Sequence, residues 1–176
     1  MVEQLTQPYI GLPEAHFARA QAALNAAEWR RGVAEADKAL DLRPDWDIAV
    51  MLKAQLQRAD SPEVAIETLR AYLAGHPQAR EVRLQYARNL VGARKFSQAR
   101  TEFQRLLGDF PGNADVIYAV AVLSVQLSDW EVADENFKKL LGKDFAEIDT
   151  VRLYLGQIAE ERKQFQFSML DKRDFA

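Results

Sequence analysis

The chain has 176 residues, of which 48% are apolar and 28% charged, with no cysteine and a formal net charge of −3. That length holds one ordinary domain or a short repeat array with a sizeable core, and the apolar fraction excludes a disordered chain. The lack of cysteine excludes a disulfide scaffold, cysteine-ligated zinc, iron–sulfur clusters and thiol catalysis, while the acidic balance opposes a phosphate-binding surface.

Residues 1–12 read as an irregular lead-in, with Pro8, Gly11 and Pro13 as breakers. Met1–Pro8 has neither a basic stretch nor an apolar one, so no secretory signal is expected there. The cytoplasm is the expected compartment, with the periplasm open if a signal has been removed. No apolar run reaches the roughly 18 residues that a membrane span needs, so no membrane insertion is expected.

From there the pattern is helical. Helix pairs are expected over 13–27 with 29–42, 46–59 with 62–74, 79–93 with 96–109, 113–127 with 130–142 and 148–163 with 165–174. Val116 to Leu123 is β-branched and nearly continuous, and alone it would suit a buried strand; its register in the repeat assigns it to a helix.

Four series of markers keep one phase. Pro44, Pro77 and Pro111 close similar helical phrases. A small residue in each first helix falls at Ala20, Ala54, Ala87, Ala121 and Gly156, and one in each second helix at Gly32, Ala65, Ala99, Ala133 and Ser168. Aromatics mark the intervening turns at Trp29, Phe96, Trp130 and Phe165. Two antiparallel helices approach closely only where a small side chain sits at the crossing, which is what the small markers supply. The prolines forbid continuation of the second helix and send the chain onward. Each hairpin keeps apolar residues to spare and must stack on a neighbour.

This pattern resembles the tetratricopeptide repeat family, whose unit is a helix–turn–helix of about 34 residues. The likeness covers 13–175 and is strongest in Arg80–Pro111, with Phe96, Ala99 and Phe103, and in Ala114–Phe145, with Trp130, Ala133 and Phe137. The family's early tryptophan is replaced by His16, Val50, Arg83, Ile117 and Arg152. The second unit is one residue short at Asp60-Ser61-Pro62-Glu63, the fourth ends in Phe145 rather than proline, and Lys172 stands in the fifth where Phe103 and Phe137 stand earlier. The resemblance implies an all-α, right-handed superhelical solenoid of four to five antiparallel hairpins. It forms one domain over 13–176, with units at about 13–45, 46–78, 79–112, 113–147 and 148–176 and no second domain.

Little in the chain could carry chemistry. His16 and His76 lie in different units without ligand-spaced partners, and both read as structural. Asp134-Glu135 and Glu160-Glu161 are adjacent pairs that suit solvated helix faces. No phosphate-cradling or nucleophile motif occurs. No enzyme activity, metal or cofactor is expected.

In the family, first helices line a concave groove that holds peptides. The corresponding positions are Glu14, Phe17, Gln21 and Leu24; Ile48, Met51, Gln55 and Arg58; Glu81, Leu84, Arg88 and Val91; Asp115, Tyr118, Val122 and Val125; and Leu153, Gln157 and Tyr154. The candidate partner-binding residues among them are Phe17, Gln21, Met51, Gln55, Arg58, Leu84, Arg88, Tyr118, Val122, Leu153 and Gln157. An equal alternative has Phe17, Leu24, Leu84 and Val91 wedged between adjacent first helices, closing the groove. Family members that grip a chaperone's C-terminal carboxylate place basic residues and asparagine where this chain has Phe17, Gln21, Leu52, Glu81 and Gln85, so that clamp is not expected.

The expected function is a non-enzymatic scaffold that binds a partner peptide or helix in the groove, in a bacterial multiprotein assembly. The alternative is a structural piece of a longer array that self-associates through its ends, because Phe165, Phe167, Met169, Leu170 and Phe175 leave the last helix apolar. Pentatricopeptide-like RNA reading needs a basic groove, which Glu14, Glu81 and Asp115 oppose, so no nucleic acid is expected.

Overall fold

The computed structural model describes residues 11–171, with side chains described through residue 164. Residues 1–10 of the lead-in expected over 1–12, the side chains of Phe165, Phe167, Ser168, Met169 and Leu170, and Phe175 lie outside what is described. Among the described residues nine helices follow one another: α1 (Pro13–Asn25), α2 (Trp29–Leu42), α3 (Asp47–Arg58), α4 (Pro62–Gly75), α5 (Arg80–Gly92), α6 (Phe96–Asp109), α7 (Ala114–Gln126), α8 (Trp130–Lys138) and α9 (Ile148–Asp171). No strand occurs among them. The chain divides into two compact units, Met1–Lys95 and Phe96–Ala176.

Helix ends follow from local chemistry. Pro13 and Pro62 open α1 and α4, where a missing N–H costs nothing. Asn113 and Asp129 cap α7 and α8 by accepting from the backbone N–H of Val116 at 3.1 Å and Val132 at 3.4 Å. Before each marker proline, the residue at the helix end donates one last backbone bond four residues back: Arg43 to Ala39, His76 to Tyr72 and Phe110 to Leu106. Proline ends the ladder there.

Three turns after first helices share another device. Ala27, Arg94 and Ser128 hold positive φ of 57°, 58° and 56°. The following N–H in each case reaches back five residues, from Glu28 to Ala23, Lys95 to Leu90 and Asp129 to Ser124. This is the six-to-one bond of a left-handed helix cap, made here without glycine. The shortened second turn lacks it and relies on Pro62 instead.

In the first unit α1 packs on α2, α3 on α2 and α4, and α5 on α4 and α3. The small markers sit at these contacts: Ala20, Ala54, Ala65 and Ala87 are wholly buried. Gly32 is the tightest. A methyl group there would meet Leu56 Cδ2 at 2.5 Å and Ala23 Cβ at 3.3 Å. Ala20, Ala36, Leu52 and Leu56 form the core beside it, with Phe17, Leu24 and Val33 packed around. Polar ties add direction: Tyr72 donates its hydroxyl to Asp47 at 2.6 Å, and Lys53 pairs with Asp37 at 2.6 Å.

In the second unit α6 packs on α7, α7 on α8 and α8 on α9. Its core gathers Ile117, Ala121, Ala133, Phe137, Leu140, Phe145, Val151 and Ile158. The Val116–Leu123 segment is helical, inside α7, as the repeat register required. Arg100 on α6 donates to Asp129 at 2.7 Å and Ser124 at 3.3 Å, fixing the α7–α8 turn. The chain then passes through Gly142, at φ +83°, and buries Phe145 where the other units place proline.

The expected fifth hairpin does not form. α9 runs unbroken from Ile148 to Asp171, through the expected turn at Phe165. Gly156, expected at a helix crossing, is exposed and has no neighbour for an added methyl within 4 Å. Among the described residues nothing packs on that face of α9, so the small residue has no crossing to serve there.

Candidate functional site

The site is built from first helices, which carry residues at i, i+4 and i+7 on one face. In the first unit that face converges on a cavity of about 380 Å³ between α3 and α5. Met51, Gln55 and Arg58 line it from α3, and Glu81, Leu84, Gln85, Arg88 and Asn89 from α5. Five of the expected residues therefore share one concave site: Met51, Gln55, Arg58, Leu84 and Arg88. Its volume lies within the roughly 300–1,000 Å³ range of ligand-holding clefts.

The lining is polar with two apolar patches. Met51 and Leu84 are half-buried, whereas Gln55, Arg58, Glu81 and Arg88 are exposed. Gln85 donates its amide to the Met51 carbonyl at 3.0 Å, which holds α5 at a fixed height on α3. Asn89 is 7% exposed, and its Nδ2 is buried with no hydrogen-bond partner. Such an orphan donor costs free energy unless something fills it. Asn89 was not among the expected site residues, yet the signal was present: Val82, Tyr86 and Asn89 follow core spacing on α5, and only the third is polar.

The other expected residues of this unit separate. Gln21 is exposed on α1. Phe17 is half-buried, packs against the Leu52 and Leu56 core, and lies 4.9 Å from the Trp46 ring. Leu24 packs there too, so for these two residues the wedge arrangement is the one observed.

In the second unit Tyr118 and Val122 are half-buried against the core cluster, together with Val125. The Tyr118 ring lies 6.0 Å from Phe137 and 5.3 Å from Phe145, and burial pushes its hydroxyl pKa upward. Tyr154 stacks on Phe137 at 4.9 Å. Leu153 and Gln157 are exposed on α9, Leu153 at 75%.

A second cavity, of about 270 Å³, was not expected. Trp29, Val33, Leu56, Gln57 and Val64 line it with Arg30, Asp60 and Ser61. Gln57 Oε1 is buried there without a partner.

Both histidines have structural partners. His16 is buried with Nδ1 2.7 Å from Glu35, which also pairs with Lys38 at 2.7 Å. Burial alone would raise the Glu35 pKa, but hydrogen bonds from His16 and Lys38 outweigh it and hold the carboxyl below its ordinary range. His76 stacks on Tyr72 at 4.1 Å. Burial and the hydrogen bond to Asp47 push the Tyr72 hydroxyl far above the usual phenol range. Among the described residues no three His, Asp or Glu side chains are grouped to hold a metal, and no helix is long and apolar enough to cross a membrane.

The family model described as Tetratricopeptide repeat matches residues 58–123. No curated protein sequence matches the chain significantly. Among solved structures, MamA 41-end from Desulfovibrio magneticus RS-1 gives a TM-score of 0.65 at 20% identity, covering 80% of this chain and 80% of that one. A tetratricopeptide repeat protein from Parabacteroides merdae ATCC 43184 gives 0.74 at 15% identity, covering 85% of this chain and 60% of that one. A crystal structure of MamA protein gives 0.72 at 13% identity, covering 86% and 82%. At these identities the likeness is one of fold. The tetratricopeptide repeat model thus matches the middle of the chain, and the helix pairs of the described residues share the fold of solved tetratricopeptide repeat structures.

Proposed function

We propose that this chain is a non-enzymatic interaction scaffold that holds a partner peptide or helix on its first-helix face, within a bacterial multiprotein assembly. The observation that carries the reading is the cavity between α3 and α5, lined by Met51, Gln55, Arg58, Leu84 and Arg88, which the family resemblance implies as groove residues. An open concave surface with apolar patches and unpaired polar groups suits a partner segment better than solvent. The neighbours from Desulfovibrio magneticus and Parabacteroides merdae support a bacterial setting.

The test is affinity capture from the source organism's lysate, comparing the native chain with a Met51→Glu, Leu84→Glu variant of equal helicity. Tyr118 is left intact because its packing against Phe137 and Phe145 makes it part of the fold. A partner held by the native chain and lost from the variant bears out the reading; identical capture by both overturns it. A second reading, self-association through α9, is favoured by the exposure of Leu153. It predicts a concentration-dependent mass in sedimentation that Leu153→Glu abolishes.

A further inference from the structure

The α3–α5 cavity contains an imbalance that its packing does not resolve. Arg58 and Arg88 line it, and among the described residues neither makes an ion pair or side-chain hydrogen bond. Glu81, the acidic residue of the lining, is also unpaired, although two guanidinium groups border the same space. Asn89 adds a buried N–H donor with nothing to donate to. Gln85 is already committed to the Met51 carbonyl. The site thus offers donors on three side chains, two of them cationic, against one carboxylate, and Met51 and Leu84 flank them with apolar surface.

We propose that this cavity receives the side-chain carboxylate of a glutamate or aspartate set in an otherwise apolar partner segment. The proposal rests on the scaffold reading above and specifies the partner's chemistry. A carboxylate accepts from guanidinium groups in paired geometry, so it answers Arg58 and Arg88 together, with the Asn89 amide beside them in the lining as a local reporter. A neutral amide side chain leaves both cations unmatched. Leucines on either side of the acid cover Met51 and Leu84. Because the arginines are exposed, the attraction weakens with added salt.

The test is titration of the ¹⁵N-labelled full chain with acetyl-Leu-Glu-Leu-amide, its glutamine counterpart, and acetyl-Leu-Gln-Leu with a free C-terminal carboxylate. The side-chain amide resonances of Asn89 are expected to move with the glutamate peptide, at an affinity about tenfold above that of the glutamine peptide. Arg58→Gln and Arg88→Gln each weaken glutamate binding by about tenfold, while Glu81→Gln strengthens it, since removing a like charge favours an incoming carboxylate. All three positions are exposed, so folding is retained and circular dichroism checks it. No movement of the Asn89 resonances at about 10 mM peptide, within reach of millimolar affinities, overturns the proposal. Equal binding of glutamate and glutamine peptides also overturns it, as does a preference for the free C terminus. If these fail while the Met51→Glu, Leu84→Glu variant still loses its captured partner, the carboxylate proposal falls and the scaffold reading stands.

Discussion

Gly32, a second-helix marker, and Gly156, a first-helix one, are both small residues of the repeat pattern and are expected to respond to alanine with opposite signs. A Cβ at Gly32 would lie 2.5 Å from Leu56 Cδ2 and 3.0 Å from Cδ1. Both are well inside the optimum of about 3.5–4.0 Å between carbons. Leu56 is fully buried in the cluster with Ala20, Ala36 and Leu52, and it also borders the cavity lined by Trp29 and Val33. Overpacking of this kind costs about 1–3 kcal/mol. Alanine's better helix propensity returns about 1 kcal/mol. The net expectation for Gly32→Ala is a loss of about 1 kcal/mol on those two scales. Gly156 has open space around it, so Gly156→Ala keeps the propensity gain, about 1 kcal/mol. Urea denaturation followed by circular dichroism at constant slope reads both midpoints. A double-mutant cycle gives a sharper test. Leu56→Ala alone costs about 2–5 kcal/mol, and with Gly32→Ala the new methyl fills part of the vacated space, so the combined loss falls short of the sum. Gly32→Ala as stabilising as Gly156→Ala, or strict additivity with Leu56→Ala, would refute the claim that helix approach at Gly32 is limited by Leu56.

Two further outcomes follow from buried polar groups. The folded-state pKa of Glu35 is depressed, so the stability it contributes is fully present above its ordinary value of 4.5 and lost as pH falls through the folded value. Urea midpoints of the native chain should drop more steeply below pH 4.5 than those of Glu35→Gln; parallel profiles would show that the His16–Glu35–Lys38 cluster adds nothing. Asn89→Leu removes an unsatisfied buried donor, and a gain of about 1 kcal/mol is expected in the urea midpoint. A loss of stability would mean that the amide already has a use in the unliganded fold.

The helices were legible because small residues at crossings and prolines at exits are demands of backbone approach, and such demands leave a periodic trace. Ala20, Ala54, Ala87 and Ala121 carried that trace and are all buried. Gly156 carried the same letter-level signal without the contact, since smallness in a sequence does not distinguish a crossing from a bare helix face. The site was legible in part. The family resemblance placed Met51, Gln55, Arg58, Leu84 and Arg88 on the groove face, and a cavity joins them. It could not separate Phe17 and Tyr118 from them, because whether an aromatic at such a position stays open depends on which rings lie beside it; Trp46, Phe137 and Phe145 do so here. Asn89 falls outside that set because it is a polar residue on the inward face of α5, where the groove pattern does not run.

The left-handed residues in the turns bear on how the molecule comes together. Ala27 between α1 and α2, and Ser128 between α7 and α8, each carry a side chain through a backbone region that disfavours it by about 1–2 kcal/mol. Locally, then, each turn resists closing, and the closed form is held by helix burial on both sides of it. A pair of helices cut from either unit would spring its own turn, whereas the same pair stacked on its neighbours keeps it shut. The repeats that look modular along the sequence are therefore interdependent as folding units, and partial unfolding of one helix is transmitted to its partner through the turn that joins them.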